Sequence, residues 1–174
     1  LNENEERPTW REYRVYQLPS GEIVAIFDDI TEKKEAELRQ VALQEQLYTS
    51  SRTAVYRVKR EQDTAILKIL KTIEPSPKTI MHFQREHEIL QRIRADGVIK
   101  SLGFGKYQEH FAILLEDIHG EPLHQIMSNS GMPVPQFLEL AVKISRALGD
   151  VHQHQIIHKD INPSNILYNA ETGR

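Results

Sequence analysis

One short segment constrains this chain more than any other part of it, the stretch His158-Lys-Asp-Ile-Asn-Pro-Ser-Asn165. The apolar pair Ile156-Ile157 precedes it and the apolar run Ile166-Leu167-Tyr168 follows it. Its His, Asp and Asn stand in the pattern H-x-D-x-x-x-x-N, on a polar turn between two apolar segments. The sequence therefore predicts a polar turn between an apolar pair and an apolar strand.

The residue types on this turn are those that phosphoryl transfer needs. The carboxylate of Asp160 can accept the proton of a substrate hydroxyl, and the amide oxygen of Asn165 can help to hold a divalent ion on the phosphates. The alternative is a polar turn in which both side chains only satisfy backbone groups. The remainder of the chain favours the first interpretation.

A second candidate group joins a strand to a helix. Lys68 closes the apolar run Ala65-Ile-Leu-Lys68, where a lysine either extends from a strand edge or meets phosphate oxygens. In a helix predicted over roughly 79–94, Glu86 lies within roughly 30° of the centre of the apolar arc, and Glu88 points away from it. An inward carboxylate is costly unless it meets a cation, so we expect Glu86 to pair with Lys68.

Hydrophobic periodicity predicts a chain in which strands and helices are mixed. Strands are predicted at 12–18, 23–27, 55–58, 65–70, 98–104 and 111–118, and helices at 32–42, 79–94, 122–128 and from Pro135 to about 153. Residues 43–48 fit either a strand or a continued helix. Gly103-Phe-Gly105 is expected to be a turn, not a phosphate-binding loop, because no helix follows it.

From Leu43 to Tyr168 the sequence resembles the protein kinase fold, and most of all the kinase-like domains that head bacterial and fungal multi-domain sensor histidine kinases. The resemblance implies an α+β fold. Residues 43–118 would form the N-lobe, an antiparallel sheet with one helix, and the hinge, and residues 119–174 would begin the helical C-lobe. It also implies serine/threonine protein kinase activity in the complete protein, with ATP and Mg²⁺ as cofactors and an unknown protein substrate.

The resemblance implies a role for each site residue. Lys68, paired with Glu86, would orient the phosphates, Asp160 would be the catalytic base, and Asn165 would be a Mg²⁺ ligand. The side chains that would surround the adenine ring come from the sheet and the hinge: Leu47, Val55 and Ile66 as its cover, Leu115 as the gatekeeper, and Glu116 to Ile118 as the hinge.

The sequence also departs from this family. No glycine lies between Leu47 and Val55, where a glycine-rich loop is expected. Ser50 and Thr53 stand at the usual glycine positions. Asn162 replaces the lysine that serine/threonine kinases carry in the catalytic loop, and the chain contains no Asp-Phe-Gly segment. We therefore expect the 174-residue chain to be inactive by itself. A nucleotide-binding pseudokinase or docking module, and less strongly a small-molecule phosphotransferase, remain as alternatives.

Residues 1–30 carry a second resemblance. Two alternating strands joined by a Pro-Ser-Gly-Glu turn and followed by Asp29-Ile-Thr31 look like the C-terminal end of a PAS sensory domain. There this motif opens a signalling helix, here predicted as a linker over 31–42. The alternative is an ordinary hairpin before a capped helix. The apolar face of that helix is thin (Leu38 and Val41), so it would supply at most a weak seam for a homodimer.

Composition excludes several kinds of site and partner. The chain has no cysteine, which excludes disulfides and thiolate metal sites and fits a cytoplasmic location. A net charge of -3, with no interleaving of basic and aromatic side chains, argues against a nucleic-acid partner. No apolar run approaches the length of a membrane span.

Overall fold

The computed structural model describes residues 11–29, 38, 40–60 and 62–174. In chain order, its strands and helices are β1 (Arg11–Gln17), β2 (Ile23–Asp29), β3 (Ala42–Thr49), β4 (Thr53–Arg60), β5 (Asp63–Leu70), α1 (Pro77–Arg92), β6 (Ser101–Tyr107), β7 (His110–Glu116), β8 (Glu121–Pro122), α2 (Leu123–Ser130), α3 (Val134–Gln153) and β9 (Leu167–Tyr168). The α+β arrangement of an antiparallel sheet with one helix, followed by further helices, is confirmed.

A five-stranded antiparallel sheet in the order β3-β4-β5-β7-β6 forms the centre of the fold. Successive side chains of β5 alternate between its two faces, as a strand requires. Ala65, Leu67 and Ile69 enter one buried cluster, whereas Leu70 enters another on the opposite face. Lys68 therefore lies on the same face as Leu70, next to apolar side chains and not among them.

Helix α1 covers the face that carries Lys68. Phe83 of α1 meets Phe104 edge to face at 6.2 Å between ring centroids, and Phe104 stacks on Phe111 at 5.9 Å. The helix begins two residues before its predicted start at about residue 79, and Pro77 occupies its first turn, where a missing N–H costs nothing. The hydroxyl of Ser76 caps the helix by accepting from the N–H of Thr79.

The apolar residues of the predicted linker belong to the sheet. Leu38 and Val41 are 0% and 6% exposed and pack in the cluster of Val58, Leu67 and Leu114. The interpretation of Leu38 and Val41 as an exposed dimer seam is therefore wrong, because the face of the sheet opposite α1 already covers them. The rest of the predicted helix over 31–42 lies mostly outside the described residues, and its last residue begins β3.

Two further ambiguities of the sequence are resolved by pairing within the sheet. Residues 43–48 belong to strand β3, paired with β4. Gly103-Phe-Gly105 is not a turn, as expected from the sequence, but lies within β6, where Phe104 is 1% exposed. The prediction failed because pairing with β7 keeps these glycines in a strand, with Gly103 opposite Leu114 and Gly105 opposite Ala112, and a local reading of glycine cannot show this.

The chain after the sheet is mainly helical. Helix α3 has a proline in its first turn, as predicted, and its Leu140 is buried, whereas Phe137 remains 48% exposed. The short strands β8 and β9 pair with each other and connect the start of α2 with the segment after residue 165. Within the described residues no helix is both long enough and apolar enough to cross a bilayer.

The predicted N-terminal hairpin is present. Strands β1 and β2 pair antiparallel from Arg11 opposite Asp29 to Gln17 opposite Ile23. Gly21 occupies the left-handed region at φ 87° in the connecting turn, a conformation that glycine adopts at no steric cost. The hairpin by itself fits both a PAS end and an ordinary hairpin, so the PAS interpretation stays a prediction.

Candidate active site

The predicted pairing of Lys68 with Glu86 is present. The Nζ atom of Lys68 donates to Oε1 and Oε2 of Glu86 at 2.6 and 2.8 Å. The two side chains are 25% and 38% exposed, so the pair stands at the rim of the sheet–helix interface. Nζ also lies 5.7 Å from the ring centroid of Phe83, which further orients it. Glu88 is exposed and accepts from Gln84, as the helical pattern indicated.

The side chains predicted to surround adenine lie on adjacent strands near this pair. Val55 of β4 is directly opposite Lys68 of β5, and Ile66 of β5 is directly opposite Leu115 of β7. All of these except Leu47 are partly buried; Leu47 is 41% exposed, in an irregular part of the β3–β4 ladder. The arrangement offers an apolar surface beside a fixed ammonium group, while the adenine contacts themselves stay a prediction.

Residues 50–53 form a closed turn between β3 and β4, which we call the capped turn. The Ser50 N–H donates to the Thr53 carbonyl at 2.8 Å. The Ser50 hydroxyl oxygen accepts from the N–H groups of Arg52 and Thr53 at 3.2 and 3.0 Å. Lys71 braces the turn by donating from Nζ to the Ser50 carbonyl at 3.0 Å. The sequence showed that glycines are missing here, but it did not show what takes their place.

The side chain of Glu116 in the hinge (residues 116–118) is held by hydrogen bonds within the chain. Its Oε1 accepts from the Lys100 N–H at 2.8 Å, and Arg174 donates to both of its carboxylate oxygens at 2.6 and 3.0 Å. Burial would raise the pKa of Glu116, but these hydrogen bonds and the nearby positive charges hold it below the usual value. The Glu116 N–H is used as well, by the Lys100 carbonyl at 3.0 Å.

Asp117, the central residue of the hinge, anchors it to the sheet, a role that the sequence does not indicate. Its side chain is 3% exposed and accepts from Arg57 Nε at 2.8 Å, Thr64 Oγ1 at 2.9 Å and the His119 N–H at 2.8 Å. Burial would raise the pKa of Asp117, but these donors together hold it below its ordinary value. Arg57 and Thr64 are 60 and 53 residues away in the chain, so no local pattern could have indicated this anchor.

The hinge backbone is fixed by the segment that follows β9. Asn169, which is 7% exposed, donates from Nδ2 to the Ile118 carbonyl at 2.7 Å. Its Oδ1 accepts from the N–H groups of Glu171 and Thr172, which fixes the orientation of the amide. No hydrogen bond within the described part of the chain uses the Ile118 N–H. The Ile118 N–H is therefore open to an acceptor from outside the described part of the chain.

The segment 158–165 brings its polar side chains together. Asn165 donates from Nδ2 to Oδ2 of Asp160 at 2.8 Å and to the Asp160 carbonyl at 3.0 Å. Asn162 donates to the other carboxylate oxygen of Asp160 at 2.9 Å and accepts from the Ser164 N–H. Both Asp160 and Asn165 are exposed. The turn therefore presents an oriented carboxylate together with an amide whose oxygen faces away from it.

A separate cavity of about 500 Å³ lies on the opposite face of β5, beside Ala65. Arg60, Asp63 and Asp117 contribute to its lining. Glu116 of the hinge also lines it, whereas Lys68, Glu86 and Asp160 do not, so the cavity touches the hinge but not the ion pair or the segment 158–165.

Comparisons with known proteins agree with this geometry. The family model described as "Protein kinase domain" matches residues 42–174. The curated relatives include a serine/threonine-protein kinase, pkn2, of Myxococcus xanthus, 29% identical over 49% of this chain and 10% of its own length. They also include serine/threonine-protein kinase 36 of Pongo abelii, 27% identical over 65% of this chain and 9% of its own length. The chain spans about a tenth of the length of these two relatives.

A solved structure gives the same fold. The crystal structure of the Mycobacterium tuberculosis PknI kinase domain is similar at a TM-score of 0.61 and 23% sequence identity. The match covers 77% of this chain and 56% of that one. At this identity the likeness concerns the fold alone.

Proposed function

Since the chain belongs to the protein kinase domain family, we propose that it binds MgATP and that the complete protein transfers the γ-phosphoryl group to a protein serine or threonine hydroxyl. The observation that carries the proposal is the bidentate ion pair of Lys68 and Glu86. It fixes an ammonium group at the rim of the sheet–helix interface, where phosphate oxygens can meet it. An isolated lysine at a strand edge would have no such orientation.

Adenine would bind between the sheet and the hinge. Val55, Ile66 and Leu115 offer partly buried apolar surface on neighbouring strands, and Leu47 would close it from β3. The Ile118 N–H would donate to a ring nitrogen, because no hydrogen bond within the described residues uses it. Asp117 supports that donor by tying the hinge to β4 and β5.

Transfer would depend on Asp160. Each of its carboxylate oxygens accepts from one amide, of Asn162 or Asn165, and keeps a further lone pair for a substrate hydroxyl. Asp160 would orient this hydroxyl and accept its proton. Asn165 would hold Mg²⁺ through its amide oxygen, since its nitrogen is directed at Asp160, and a bound Mg²⁺ supplies neutralisation of phosphate charge.

A second candidate function is a nucleotide-binding module without transfer. The capped turn favours it, because the N–H groups of Arg52 and Thr53 are already used by the Ser50 hydroxyl. The neutral Asn162, in place of a lysine, also favours a module that binds nucleotide without transferring phosphate.

The signalling context is also a proposal. The hairpin of β1 and β2, followed by Asp29-Ile-Thr31, supports the C-terminal end of a PAS domain in residues 1–30. A sensor of the two-component type would place such a domain ahead of the kinase domain, where it could regulate it. Because Leu38 and Val41 are buried in the sheet, any homodimer would need other surfaces.

Replacement of Lys68 tests nucleotide binding. MgATP at about a hundred times its Kd should stabilise the wild-type chain by about 2.7 kcal/mol. Lys68→Met should remove most of this gain, because the oriented ammonium is lost. Lys59→Met, at an exposed position of β4, serves as the matched control and should keep the gain. The readout is the melting temperature with and without MgATP, and equal stabilisation of both variants would contradict the proposal.

Turnover distinguishes the two candidate functions. The complete protein should transfer phosphate from labelled MgATP to protein, and Asp160→Asn should slow this by about a hundredfold or more. Binding of MgATP without any transfer by the complete protein would instead establish the non-catalytic module.

A further inference from the structure

The capped turn lies where the phosphates of the proposed ligand would extend. Lys68 is directly opposite Val55, and Thr53 is two residues further along β4. At about 3.3 Å per residue, the turn begins roughly 7 Å beyond the Lys68–Glu86 pair along the sheet. Lys71 keeps a second ammonium group at the turn, 3.0 Å from the Ser50 carbonyl. Two cations therefore border this stretch.

The backbone donors of the turn are already occupied. The Ser50 N–H is used by the Thr53 carbonyl, and the N–H groups of Arg52 and Thr53 converge on the Ser50 hydroxyl oxygen. This oxygen lies 3.1 Å from the Thr53 hydroxyl as well. Adjacent N–H groups that converge on one oxygen form the kind of concavity that binds anions. Here a neutral oxygen of the same chain fills it.

We propose that Ser50 acts as an internal competitor of nucleotide phosphate, and so determines how strongly this chain distinguishes a nucleoside triphosphate from a nucleoside. The inference rests on the proposed function, MgATP binding. A phosphate oxygen that approaches the turn must first displace the Ser50 hydroxyl from two N–H groups. The competition weakens binding of the phosphate end and leaves binding of the nucleoside end unchanged. Ser50 is a specificity-determining residue in this sense.

The test compares two ligands on three forms of the full 174-residue chain: wild type, Ser50→Ala and Ser51→Ala. Ser50→Ala frees the N–H groups of Arg52 and Thr53 without adding bulk. It should lower the Kd for MgATP about tenfold, since hydrogen bonds to a charged group are stronger than those to a hydroxyl. The Kd for adenosine should not change. Ser51→Ala removes a hydroxyl one residue away and should alter neither value.

Several outcomes overturn the inference. An unchanged Kd of Ser50→Ala for MgATP would show that the hydroxyl does not compete. A higher Kd would show that Ser50 donates to the phosphate. An equal gain for adenosine would show a general loosening of the turn. Ser50→Gly provides a second variant with the same expectation if Ser50→Ala melts at a much lower temperature without ligand.

If the proposed MgATP binding itself is wrong, the same measurements give a different result. In that case wild type and Lys68→Met would have the same Kd for MgATP, or wild type would not bind it at all. The inference about Ser50 fails by itself when Lys68→Met loses binding and Ser50→Ala matches the wild type.

Discussion

Asp117 ties the hinge to the sheet through a carboxylate that is almost completely buried. A buried charge is costly unless it is paired and hydrogen-bonded, and Asp117 has a guanidinium, a hydroxyl and a backbone N–H. Arg57 extends the network to Glu45 at 2.7 Å, on β3. Asp117 thereby connects the hinge to β4 and β5 directly, and to β3 through Arg57.

Because of this arrangement, the free energy of unfolding should fall when the pH becomes acidic enough to protonate Asp117. The pKa of Asp117 is lower in the folded chain than the value of about 4 in an unfolded chain, so its contribution is complete above that value and is lost as the pH falls through the folded pKa. Asp117→Asn should therefore destabilise the chain by about 1.5–3 kcal/mol near pH 7. The difference from wild type should shrink as the pH falls from about 5 towards 3. Urea unfolding across this pH range measures it.

Asp63→Asn is the matched control, because Asp63 is an exposed carboxylate of β5. It should change the free energy of unfolding by less than about 0.5 kcal/mol. A difference between Asp117→Asn and wild type that stays constant with pH would contradict the assignment.

At the scale of single residues, the sequence indicates a contact between two side chains when a helical repeat or a short spacing in the chain places them together. The position of Glu86 on the inner face of its helix follows from 100° per residue, and Lys68 is the nearest cation at a strand end. Asp160 and Asn165 share one short segment, so their proximity follows from spacing. Asp117 depends on donors from distant strands, and only the assembled sheet brings them together.

Helix α1 carries Glu86, and its stability depends in part on how its first turn is capped. No acidic residue lies in that turn, and Ser76 supplies the side-chain cap. Ser76→Ala should reduce the free energy of unfolding by about 1 kcal/mol, because the Thr79 N–H loses its acceptor. Ser76→Asp should retain the cap and add a favourable charge at the helix N-terminus.

Chemical denaturation of the two variants separates these expectations. Equal loss in Ser76→Ala and Ser76→Asp would mean that the hydroxyl acts through its contact with the Thr79 hydroxyl, at 2.9 Å, and not as a cap.

At the scale of elements, the sequence predicts that a strand or helix is present better than it predicts the residues at which the element begins and ends. Strands β4 and β5 are each longer than predicted, because ladder pairing continues to Arg60 and Asp63 beyond the apolar residues. Strand β3 was ambiguous since its own residues are exposed, and only its partner β4 makes it a strand. Gly103 lies in a strand because β6 pairs with β7, where Gly103 stands opposite Leu114, and its neighbours in the chain do not reveal this partner.

The folded unit as a whole extends further towards the N-terminus than the family match at residues 42–174. Leu38 is completely buried against the sheet although it precedes that match. Leu38→Ala should therefore cost about 2–5 kcal/mol of unfolding free energy, as for other core leucines. Leu43→Ala, at a position that is 46% exposed, is the control and should cost less than about 1 kcal/mol.

The measurement is the urea midpoint of both variants in the full chain. If Leu38→Ala and Leu43→Ala unfold at the same midpoint, the segment before β3 does not belong to the core. The helical composition around Leu38 could not have indicated its burial, because two apolar residues in a charged segment look like the weak face of a solvated helix.

Two of the contacts that fasten the hinge have a kinetic consequence. Asn169 holds the Ile118 carbonyl, and Arg174 holds the Glu116 carboxylate. Both residues belong to the segment after β9, so the hinge cannot move away from that segment unless these hydrogen bonds break. The rate at which a nucleotide leaves should therefore depend on how often they break, while its Kd depends on the groups that contact it.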